Sequence, residues 1–134
     1  VKRLLIALLV AVGLAAAAAE AHHSFAVHFV PDETVSVSGV VTEFRFRNPH
    51  GLLFFTAHQE DGRDVAWKAE TNSPNILRRR GWDEHSLAVG DRITVTGYPA
   101  RDGTNYMRVY KITFEDGREL VGQRPAPGVA DGND

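Results

Sequence analysis

Apolar and polar residues alternate with a period of two through most of the chain, the pattern of half-buried strands. The first such stretch, Val35 to Arg47 (VSVSGVVTEFRFR), changes phase on the way. Val35 and Val37 are apolar on one parity, Val40, Phe44 and Phe46 on the other. The switch falls at Gly39-Val40-Val41, and a glycine there predicts a bulge or sharp coil in one long strand. Arg47-Asn48-Pro49-His50-Gly51 follows as turn chemistry. Leu52 to His58 (LLFFTAH) is short enough for a buried strand. Asp61-Gly62 within 60–63 predicts a type I′ hairpin turn. Val65, Trp67 and Ala69 alternate with Ala66, Lys68 and Glu70 to give a third strand.

The spacing then changes. Ser73 is a good N-cap and Pro74 suits the first helical position, so Asn75 to Arg80 predicts two turns of helix at most. Its arginines lie near the negative C-terminal end, and Gly81 is the stop. Asp83 to Ser86 predicts a second short turn. Alternation returns in RITVTGY, ending at Tyr98-Pro99, and a hairpin signal follows at Arg101 to Thr104. Met107 to Phe114 is the next strand, and Asp116-Gly117 turns into a short strand from Glu119 to Val121. From 123 to 134 Pro, Gly, Ala and Asp dominate without an apolar period, which predicts a disordered tail.

Three strands, a short helix, two strands and a small extra strand predict an all-β chain. A long bulged first strand and a helix between strands 3 and 4 match a small OB-like five-stranded Greek-key barrel spanning residues 22–122. Barrel closure also removes the exposed edges of so small a sheet. The competing architecture is a β-sandwich or roll with the helix as a plug.

The start of the chain carries a different signal. Lys2 and Arg3 form a positive region, Leu4 to Leu14 is a short apolar run, and Ala19-Glu20-Ala21 is an A-x-A site. These predict a signal peptide over residues 1–21 and a mature protein in the periplasm or secreted, beginning near His22. The apolar run is too short for a spanning helix, so no membrane span is expected after cleavage. Formal net charge is −2, and losing the leader makes it slightly more negative. That balance argues against nucleic acid as a partner. No cysteine is present, which removes disulfides, thiolate nucleophiles and Cys-ligated metals.

Several short motifs recur in order: AHHSF, NPH at 48–50, W-x-x-E at 67–70, SPN at 73–75, then LRRRGW and GDRITVTGY. In that order and spacing the chain resembles a bacterial family of small exported proteins, domain of unknown function 6152. The resemblance covers nearly the whole mature chain. It implies an exported, single-domain β-barrel-like protein and supplies no mechanism.

The strongest chemical feature is histidine. Of six, three lie within seven residues, His22, His23 and His28, and His50 and His58 flank the second strand. Neutral imidazole is the commonest side-chain ligand for late first-row metals. Cleavage after Ala21 lets His22 offer its α-amino nitrogen and Nδ1 as a chelate. His50, or else His23, completes a T-shaped nitrogen set of the histidine-brace type, which suits Cu(II). Cleavage after Ala19 instead places His22 third, where amine, two amides and imidazole give square-planar coordination of Cu(II) or Ni(II). The metal candidates are therefore His22, His23 and His50, with copper(II) as the expected cofactor.

Asn48 and His50 share the loop where OB barrels meet their ligands. Glu70, at the end of the third strand, is a candidate to orient an imidazole. The alternative to copper is a non-metal accessory module that uses the barrel face or the Asn48–Gly51 loop to hold a small anionic ligand or a periplasmic protein. Arg78-Arg79-Arg80 has a helix-dipole explanation, and Phe44-Arg45-Phe46-Arg47 that of a strand with one buried face. No nucleophile elbow or carboxylate pair is present, so no enzyme activity is expected.

Overall fold

The structure, a computed structural model, describes residues 25–123. The expected leader, both expected cleavage sites, His22, His23 and the expected tail from 124 lie outside the described residues. Six strands and one helix follow in order: β1 (Val35–Arg45), β2 (Leu52–His58), β3 (Asp64–Glu70), α1 (Pro74–Arg78), β4 (Arg92–Pro99), β5 (Tyr106–Phe114) and β6 (Glu119–Val121). The sheet order is β3-β2-β1-β4-β5-β6, and β3 also pairs with β5. That pairing is parallel, the others antiparallel. It closes β1 to β5 into the OB-type barrel, so the sandwich alternative falls.

β1 serves two partners, pairing with β4 through Val35–Val40 and with β2 through Val40–Arg45. The register slips between Val41 and Glu43, so the bulge lies at Thr42, later than the expected Gly39–Val41. Val41 is fully buried and points inward with Val35 and Val37, whereas Val40 is exposed. Gly39 has another task. A Cβ there would sit 2.5 Å from the Thr56 carbonyl oxygen and 2.8 Å from Phe55 Cδ2, so only glycine lets β1 coil onto β2. A second slip, in which Thr96 faces Lys111 while Gly97 faces Val109, leaves Tyr110 as the extra residue of β5.

The 60–63 turn departs from type I′. Only Gly62 has positive φ, 83°, whereas type I′ needs two such residues; one αL glycine after the turn is the bulged hairpin form. Asp61 Oδ1 accepts from the Arg63 amide at 3.1 Å, and Asp102 and Asp116 do the same for Thr104 and Arg118. α1 is five residues long, shorter than expected. It closes where the Trp82 amide donates to the Leu77 carbonyl at 3.1 Å with Gly81 at φ 83°, a Schellman closure.

Inside the barrel Val41, Leu53, Phe55, Val95, Met107 and Ile112 pack together, and Leu77, Trp82 and Leu87 plug them from α1 and the following loop. Trp67 is only partly buried, stacked on Phe55 at 6.2 Å. We expect Gly39→Ala to cost about 1–3 kcal/mol, the usual range for overpacking. Ser38→Ala, on the exposed neighbour, should stay within about 0.5 kcal/mol. Urea unfolding of both variants measures the difference.

Candidate functional site

The seam between β3 and β5 sets Lys68 opposite Tyr106 and Glu70 opposite Arg108. Arg108 is only 9 % exposed, and a buried guanidinium must be compensated. One terminal nitrogen donates to Glu70 Oε1, the other to Asn72 Oδ1 at 2.8 Å. The second Glu70 oxygen accepts from the Tyr106 hydroxyl. Loss of hydration lowers the Arg108 pKa, opposed by the Glu70 charge. Burial, then the bond to Glu70, raises the Tyr106 pKa above its ordinary 10.0. The Lys68 ammonium lies 4.0 Å from the centre of the Tyr106 ring, and Phe29 packs 5.2 Å from it.

The loop 46–51 delivers His50 to this cluster. The Gly51 amide donates to Asn72 O at 3.2 Å, and the Thr71 amide returns a bond to Gly51 O at 2.8 Å. A side chain at 51 would collide with Thr71 Oγ1. So held, His50 places Nδ1 2.9 Å from Glu70 Oε1, with its side chain 46 % exposed against 17 % for the glutamate. A carboxylate only accepts, so in the neutral imidazole a hydrogen on Nδ1 would face Glu70 and leave the Nε2 lone pair free.

The N-terminal segment is fixed at the same end. After a helical turn at 25–28, Phe29 bridges to Ala100. Arg101 donates from Nε to Ala26 O at 3.0 Å and from a terminal nitrogen to Phe29 O at 3.2 Å. Phe29 thereby reaches the tyrosine that holds Glu70.

Two of the expected site residues, His50 and Glu70, are thus brought into contact. Asn48 is not: it precedes a cis bond to Pro49, is exposed, and makes no hydrogen bond among the described residues. His22 and His23 lie outside the described residues, within which no three His, Asp or Glu converge to hold a metal. His58 pairs with Asp64 at 2.8 Å, both highly exposed, a pairing of small worth in water. An open groove lined by Ser38, Thr56, His58, Arg92 and Glu115 lies at the far end of the strands from Glu70. It shares no residue with the polar cluster.

Tyr106, Arg108 and Asn72 escaped sequence reasoning. A charged residue between Met107 and Val109 in an apolar strand was the signal for Arg108. Its partner depends on a parallel register that no local pattern contains.

The family model described as "Family of unknown function (DUF6152)" matches residues 9–107. No curated protein matches the chain. Among solved structures, the small single-stranded DNA-binding protein from Streptomyces coelicolor is similar at 22 % identity. The match covers 66 % of this chain and 97 % of that one, with a TM-score of 0.42. Neither the family description nor the barrel carries a sign of catalysis.

A tyrosine whose pKa rises on folding stabilises the fold fully below its unfolded value, and loses that contribution as pH climbs through the folded one. Wild type should therefore lose stability as pH rises above 10.0, and Tyr106→Phe should lose less over the same interval. At neutral pH that variant should cost about 1.5–3 kcal/mol for the missing hydrogen bond to a carboxylate. Chemical denaturation at neutral and alkaline pH reads both effects.

Proposed function

The chain belongs to the family of unknown function DUF6152, and we propose that it is an exported Cu(II)-binding protein whose metal sits at the barrel end beside His50. The observation that carries this reading is the contact between His50 Nδ1 and Glu70 at 2.9 Å. Metal-ligating histidines characteristically donate their other nitrogen to a carboxylate, which sets the tautomer and aims the free lone pair. His50 stands within that distance of Glu70 with its side chain 46 % exposed, and segment 25–29 packs through Phe29 on Tyr106, the partner of Glu70.

Cleavage after Ala21 supplies the remaining donors. The α-amino group and Nδ1 of His22 close a chelate, and His50 Nε2 adds the third nitrogen, with His23 as the nearby substitute. A nitrogen-only planar set suits Cu(II). A chain with no cysteine and one methionine offers little to Cu(I). In this reading the protein binds and holds the ion and performs no catalysis.

The second reading is a non-metal module, favoured by the exposed and unbonded Asn48 on the same loop. Copper titration of protein recovered after export decides between them. His22→Ala, or one extra residue before His22, should abolish tight Cu(II) binding, and His50→Ala should weaken it severely. Glu70→Gln should weaken it about 10–100-fold, as for other groups that orient a ligand. Equal affinity in wild type, His22→Ala and His50→Ala would sink the copper reading.

A further inference from the structure

Two arginine runs, far apart in sequence, meet at one end of the barrel. Arg45-Phe46-Arg47 closes β1, and Arg78-Arg79-Arg80 closes α1. They touch directly: the Arg78 guanidinium lies 5.0 Å from the centre of the Phe46 ring. Two of the five cations are committed elsewhere. Arg45 binds Glu43 and covers Phe54 at 4.7 Å, and Arg80 donates to the Gly122 carbonyl.

Arg47, Arg78 and Arg79 are exposed, and none pairs with a carboxylate among the described residues. Arg47 adds only the last of several contributions that hold the Glu43 pKa down. The excess is local, because the whole chain carries −2. The helix dipole accounts for charge at the end of α1 but not for Arg47 on a neighbouring loop. Gathering like charges costs stability unless an anion answers them. Guanidinium groups answer phosphate best, through paired parallel hydrogen bonds.

Phosphate comes from nucleic acid or from lipid, and the aromatic rings decide between them. Base stacking needs an open ring face. Phe46 is occupied by Arg78 and by Phe44 at 5.8 Å, and Phe54 by Arg45. What the face does offer is Ile76, 40 % exposed and three residues before Arg79, hence beside it on the helix. A cationic rim with an exposed aliphatic group suits the boundary between headgroups and acyl chains.

We infer that the face formed by Arg47, Arg78, Arg79 and Ile76 docks on an anionic phospholipid surface. The arginines sit on headgroup phosphates and the isoleucine dips below them. Attachment is peripheral, since no helix among the described residues is long and apolar enough to cross a membrane. The inference stands apart from copper.

The test is sedimentation with vesicles of phosphatidylglycerol mixed with phosphatidylcholine, or of phosphatidylcholine alone. Wild type and variants are prepared identically, so that any contribution of the leader cancels. Binding should need phosphatidylglycerol and fall with salt. Arg79→Gln should lower the partition coefficient about fivefold, one arginine's share at such a surface, and Ile76→Ser should lower it without changing the charge. Arg92→Gln, the same charge change in the distant groove, should leave it unaltered. Three results would overturn the inference: equal binding to phosphatidylcholine alone, equal loss in Arg92→Gln, or tighter binding to a single-stranded oligonucleotide than to the vesicles.

Discussion

The ion pair between Arg108 and Glu70 joins the two strands that close the barrel. The parallel β3–β5 seam is only three residue pairs long, so each pair matters to closure. Leaving a buried guanidinium without its carboxylate costs on the order of 3–5 kcal/mol. Glu70 is therefore immobile for reasons of stability, and its remaining lone pairs become fixed acceptors. Tyr106 donates to one, and His50 Nδ1 stands 2.9 Å from the other oxygen. The same seam reaches outward through Asn72, whose amide donates to Gly122 O at 2.7 Å beside Arg80. Barrel closure and the seating of the last strand share one set of hydrogen bonds, and His50 lies against its carboxylate.

The OB topology explains why these groups collect at one end. Loop 46–51 follows the end of β1, the hairpin 100–105 joins β4 to β5, and both open beside the seam. Segment 25–29 lies on that hairpin, held by three bonds from Arg101. Through Phe29, which packs on the Tyr106 ring, that segment joins the same cluster. The arginine face uses the same loop, one turn of chain before His50. The placement of His50 and the surface charge thus rest on one scaffold.

Much of the fold was legible because alternation, Asp-Gly turns and the Ser-Pro helix start act locally. The errors were physical too. Val40 is apolar yet 37 % exposed, so hydrophobicity misplaced the bulge that Thr42 makes. Asp-Gly serves two hairpin geometries, and the sequence does not say which. For the site, residue chemistry nominated His50 and Glu70, and the fold brings them together. Arg108 and Tyr106 stayed hidden because their partners come from a non-local parallel register. The two arginine runs each had an adequate local explanation, and only the fold joins them.

The measurement that tests the account most directly is the tautomer of His50, read from side-chain nitrogen resonances at a pH where the imidazole is neutral. The account predicts hydrogen on Nδ1 and a bare Nε2 in wild type, giving way to a mixture when Glu70 is replaced by glutamine. Hydrogen on Nε2 in wild type, or the same tautomer mixture in both proteins, would contradict it. The carboxylate that closes the barrel would then have no hold on the imidazole.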